Sequence, residues 1–105
     1  MVIPEMAAIA RGMVRDSLHA FVNRDVDKAR EVLLRDDQLD ERKARITVDL
    51  SEFMTRDASS VDRALALVLI SNNLERIGDH ATNIAENTIF VVEGKDIRHH
   101  EGQKK

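Results

Sequence analysis

Cysteine, tryptophan and tyrosine are absent from this chain of 105 residues, and it carries one proline, four glycines and three phenylalanines. Without cysteine there is neither a disulfide scaffold nor a zinc–thiolate site. At 3% aromatic content there is no platform on which bases could stack. No sign of charge dominates, because 16 Lys and Arg stand against 19 Asp and Glu for a net charge of −3. The chain therefore has no global basic field to draw in nucleic acid or an anionic bilayer. Long apolar runs are missing too. The longest, residues 64–70, is far below the roughly 20 residues a membrane span needs. The opening MVIPEMAAIARG lacks the basic start and long apolar core of a secretory signal. These absences predict a soluble cytoplasmic protein with no nucleic-acid partner and no membrane insertion.

What is present is helical in period. A hydrophobic content of 43% can build one modest core, hence one domain. The first helix is expected over residues 4–22, with Pro4 suited to a first turn and Met6, Ile9, Ala10, Met13, Leu18 and Phe21 on one side. Asn23, Arg24 and Asp25 form a polar break, with Asp25 placed to cap a second helix running to about residue 56. In that helix Val32, Leu39, Ile46 and Phe53 recur every seven residues, widened by Leu33, Leu50 and Met54.

Residues 57–60 make the next break, where Ser59 followed by Asp62 resembles a capping box. A third helix over residues 60–92 carries Leu67, Ile70, Leu74, Ile77, Ala81, Ile84, Thr88 and Val91 as its apolar stripe. Ala64, Ser71, Gly78 and Ala85 form a second line that would let a neighbouring helix approach closely. Gly94 is a stop signal. Two short links force antiparallel neighbours, so the expected fold is all-α: an up-down three-helix bundle with long helices over residues 1–94, and a polar, flexible tail over residues 95–105.

Two acidic pairs stand out. Asp36 and Asp40 lie one helical turn apart within the apolar half of the second helix, and Glu75 and Asp79 share that spacing on the third. Like charges at this spacing repel, and repel more as water is withdrawn, so something should offset them. Packing helices two and three together could gather four carboxylates. Such hard oxygen donors suit Mg²⁺, Mn²⁺, Ca²⁺ or iron, with zinc kept open by His80 nearby. On spacing alone the plainer reading weighs more: solvated ridges answered by Arg35, Arg42, Lys43 and Arg76. His19 reads as a helix-surface residue, and His99 with His100 as part of the polar tail. No glycine-rich phosphate loop and no activated-nucleophile arrangement occurs, so catalysis has little to stand on.

The stretch LERIGDHATNIAE over residues 74–86 closely resembles the PhoU family of bacterial phosphate-transport regulatory proteins. The likeness extends to residues 92–99, which resemble the end of the family's second repeat, and to residues 25–29 and 36–40, which resemble the start of that repeat's long hairpin. It implies one three-helix repeat, the C-terminal of the family's two. The family's metal motif, an acid, three residues, then Asp, is matched by Glu75 to Asp79 and by Asp36 to Asp40. That likeness implies a metal site of Asp36, Asp40, Glu75 and Asp79, which in the family holds iron or zinc clusters or magnesium.

For function the resemblance implies regulation rather than chemistry. The expected role is negative control of the phosphate-starvation response (the Pho regulon), exerted through the ATPase subunit of the phosphate ABC transporter and a sensor histidine kinase by a protein that commonly dimerises. The rival readings are a carboxylate-metal-dependent phosphohydrolase and a purely structural helical module.

Overall fold

A computed structural model describes the backbone of residues 2–104 and the side chains of residues 2–94. Three helices, α1 (Val2–Asn23), α2 (Val26–Arg56) and α3 (Val61–Lys104), each pack on the other two, and no strand occurs among the described residues. Helix α2 runs antiparallel to α3, with Arg30 near its start paired to Glu93 (2.8 Å) and Lys43 farther along paired to Glu75 (3.2 Å). Helix α1 runs parallel to α3: Val2 and Ile3 lie beside Leu67, and Phe21 and Val22 beside Thr88 and Val91. The up-down three-helix bundle is as expected. Among the described residues no helix is long and apolar enough to cross a membrane.

The breaks follow from local chemistry. Helix α1 ends where Arg24 enters the left-handed region at φ 54°, which lets Asp25 N–H donate back to the Ala20 carbonyl (2.9 Å). Asp25 then caps α2 by accepting from Lys28 N–H at 3.0 Å. At the second break the cap is Asp57, not Ser59. The Asp57 N–H closes α2 on the Phe53 carbonyl, while its carboxylate accepts from the Ser59 N–H (3.0 Å) and hydroxyl (2.6 Å). A carboxylate outcompetes a hydroxyl for the orphan amides, and a single 3₁₀ turn, Ala58–Ser60, leads into α3.

The core differs from the expected stripes on two helices. On α3 the second line is the buried one: Ala64, Ser71, Gly78 and Ala85 are inside together with Ala81 and Thr88, whereas Ile70, Ile77 and Val91 stay about 40% exposed. The reason is steric. Helix α3 faces two partners at once, and a close interaxial approach is open only to its small side chains. On α1 the inner face is Met6, Ala10, Met13, Ser17 and Ala20, so Leu18 and Phe21 turn half outward. On α2 Val32, Leu39, Ile46 and Leu50 are buried as expected, and Phe53 is 37% exposed at the end. The buried hydroxyls of Ser17, Ser71 and Thr88 donate to carbonyls one turn back on their own helices, at 2.9, 2.7 and 2.9 Å, so none is left unpaired.

Gly94 does not stop α3, which continues to Lys104. Its φ is not positive, and glycine ends a helix only where the chain takes a left-handed turn. The side chains of residues 95–105, His99 and His100 with them, and the flexibility expected of that tail lie outside the described residues.

Candidate functional site

The acidic pairs meet across the seam between α2 and α3. At its centre the fully buried Leu39 side chain lies against Gly78, where a Cβ on the glycine would collide with Leu39 Cδ2. Leu39 falls between Asp36 and Asp40, and Gly78 between Glu75 and Asp79, so the two acid pairs flank this tight contact. Asp36 and Glu75 are half-buried, Asp40 and Asp79 exposed.

Their proximity is legible in their electrostatics. Burial raises the Asp36 carboxyl above its ordinary value, reinforced by the charges of Asp79, Asp37 and Glu75. Asp40 is raised first by burial, then by the charge of Asp36, a side-chain hydrogen bond with Glu75, and the charges of Glu75 and Asp79. Asp36 and Asp40 therefore both feel Glu75 and Asp79, and Asp37 adds to the field on Asp36.

The expected cationic answers are mostly directed elsewhere. Arg35 reaches α1, where its guanidinium lies 2.6 Å from the buried Asp16 carboxylate, and Arg15 flanks the same group at 3.3 Å. Burial works to raise the Asp16 carboxyl, but the hydrogen bonds and charges of Arg35 and Arg15 hold it below its ordinary value. Arg42 turns to Glu5 and Glu41, at 3.8 and 3.3 Å, and Arg76 is exposed. Lys43 alone answers the seam among the ion pairs of the described residues. Its Nζ donates to Glu75 Oε1 (3.2 Å) and to Asn72 Oδ1 (2.5 Å). Nothing in the residue pattern signals the Asp16–Arg35 pair, because Asp16 looks like an ordinary surface acid until Leu18 and Phe21 turn outward. His80 and His19 are exposed.

No group of three or more His, Asp or Glu side chains among the described residues stands ready-made to hold a metal ion. As chemistry, the donor set suits a hard cation. The carboxylates of Asp36 and Asp40 both feel Glu75 and Asp79, an ammonium already offsets part of the charge, and two of the four acids are exposed. Asp36, Asp40, Glu75 and Asp79 would hold such an ion, which would supply charge neutralisation and a bridge between α2 and α3.

A family model described as "PhoU domain" matches residues 3–88. The chain is 41% identical over 87 residues to a phosphate-specific transport system accessory protein PhoU homolog of Clostridium acetobutylicum, covering 83% of this chain and 40% of that one. It is 42% identical over 89 residues to the homolog of Pseudomonas putida, covering 85% and 35%. The crystal structure of PhoU from Pseudomonas aeruginosa superimposes with a TM-score of 0.85 at 34% identity, over 87% of this chain and 44% of that one. The chain thus spans less than half the length of these relatives.

Proposed function

Since this chain belongs to the PhoU family, we propose that it is a regulatory, non-catalytic module of phosphate uptake that binds a divalent or multivalent metal through Asp36, Asp40, Glu75 and Asp79. The observation that carries the metal reading is the convergence of two acid pairs, one helical turn apart on facing helices, over the Leu39–Gly78 contact. A cation there neutralises a face that otherwise repels itself and ties α2 to α3. Iron, zinc, magnesium and manganese are the candidate ions, the first three because of the family's habits.

The relatives' name, phosphate-specific transport system accessory protein, supports a partner in that system. In this reading the module works in the cytoplasm as a homo-oligomer. It restrains the phosphate-starvation response through the transporter's ATPase subunit and a sensor histidine kinase, and the cation stiffens the helical face on which they dock.

Calorimetric titration of the metal-stripped chain with Mn²⁺, Mg²⁺ and Zn²⁺ tests the metal part. Saturable uptake abolished by Glu75→Ala with Asp79→Ala is expected, and uptake that survives the double substitution rejects the assignment. For the regulatory part, deleting the coding region should switch on phosphate-starvation genes in phosphate-replete cells. Unchanged expression of those genes rejects it.

A further inference from the structure

The seam already contains one cation of its own. Lys43 lies one turn beyond Asp40 on α2, with its side chain only 19% exposed, and its ammonium crosses to α3 to hold Glu75 and Asn72. The arginines of the sequence neighbourhood are engaged by Asp16, Glu5 and Glu41 instead. Resting on the metal reading above, we infer that Lys43 is the resident counter-cation of the acidic seam, and that a divalent ion enters by displacing its ammonium from Glu75, so that Lys43 sets the ion concentration at which the seam fills.

The chemistry of lysine fits this role. An ammonium is a compact point charge on a flexible stem, so it can leave for water by a change of side-chain rotamer while the backbone stays in place. While it remains, its protons occupy an oxygen that an ion would need, and its charge opposes the ion's approach. Glu75 cannot serve both fully. Leaving uncovers Asn72 Oδ1 as well, a further hard oxygen at the edge of the four acids. The seam therefore has two closed states, one held by the ammonium and one by a metal ion, and the exchange between them depends on ion concentration.

The experiment uses the full chain, stripped of metal, and compares it with Lys43→Met, Lys43→Gln and Lys43→Arg, each checked for helical content. Titration with Mn²⁺ should give binding about tenfold tighter in the Met and Gln variants, the scale expected on removing a unit like charge a few ångströms from a divalent ion near the surface. The Arg variant, which keeps the charge, should not tighten. In the unsubstituted chain, limited acylation followed by mass spectrometry should show the Lys43 amine reacting several-fold faster at Mn²⁺ saturation, with Lys28 unchanged. Equal or weaker binding in both neutral variants overturns the role of Lys43 while leaving the metal site standing, as does Lys43 reactivity unmoved by saturating Mn²⁺. Absence of Mn²⁺ uptake in all four proteins overturns both the site and its counter-cation.

Discussion

Replacing Gly78 by alanine adds one methyl group where α3 packs tightly against Leu39 of α2. That methyl would fall well inside contact distance of Leu39 Cδ2, with Leu39 Cγ and Met13 Cε both 3.8 Å away. Leu39 and Met13 are fully buried, so neither has an open direction in which to retreat. Overpacking of this kind costs about 1–3 kcal/mol. Exchanging glycine for alanine within a helix returns about 1 kcal/mol, which leaves a net loss of up to about 2 kcal/mol. For a domain of this size each kcal/mol moves the melting temperature by roughly 4–8 °C, so a drop of several degrees is expected by circular dichroism at 222 nm. The same displacement separates Asp36 and Asp40 from Glu75 and Asp79, and any Mn²⁺ affinity should fall with it. Shortening the opposing side chain supplies the control. Leu39→Ala alone should cost about 2–5 kcal/mol, and in the Gly78→Ala background clearly less, a coupling of the kind contacting residues show. A Gly78→Ala protein more stable than its parent refutes the close approach.

The remaining predictions concern caps and charges. Arg24→Gly should stabilise the chain by up to about 1 kcal/mol, because glycine enters the left-handed region without the strain a side chain incurs there, and urea unfolding will show it. Asp16→Asn should lower stability at neutral pH by about 1–3 kcal/mol, since Arg35 loses its buried anion. Because folding lowers the Asp16 pKa, its contribution is complete above the unfolded value and fades as pH falls through the folded one, so variant and parent should converge in acid. Asp36→Asn with Asp40→Asn should do the reverse. Their folded pKa values are raised, so the ionised pair weakens the metal-free fold at neutral pH; the double variant should melt higher there, and the gain should vanish once both carboxyls are protonated. Arg30→Ala, which removes an exposed pair with Glu93, should cost less than about 1 kcal/mol in the same urea assay.

Much of the architecture could be read directly from residue types. Asp25 as a cap, the heptad of Val32, Leu39 and Ile46, and the two polar breaks each follow from a local rule that packing leaves undisturbed. The acids were visible because a pair of carboxylates in an apolar half-face violates the expected pattern, and in the structure Asp36 and Asp40 both feel Glu75 and Asp79. The face of α3 was harder to read. Hydrophobic periodicity rewards Ile70 and Ile77, whereas a helix held between two neighbours is buried along its smallest residues, and volume is invisible to a polarity pattern. Gly94 misled for a related reason: glycine permits a left-handed turn without requiring one. The cross-helix partners of Arg35 and Arg42, Asp16 and Glu5, could not be assigned from sequence, since they sit on α1, far away along the chain.

Helix α3 meets its neighbours through Ala64, Ser71, Gly78, Ala81 and Ala85, and that narrow lining makes the chain's tolerance of change lopsided. Almost any replacement at these positions enlarges the residue, so drift there runs toward collision and hardly ever toward a void. The bulkier Met6 and Met13 of α1 and Val32 and Leu39 of α2 have the contrary exposure, to trimming. A survey of random variants should accordingly find growth forbidden along the α3 line and shrinkage forbidden at Met6, Met13, Val32 and Leu39, a signature by which this interlock could be mapped without any structure at all.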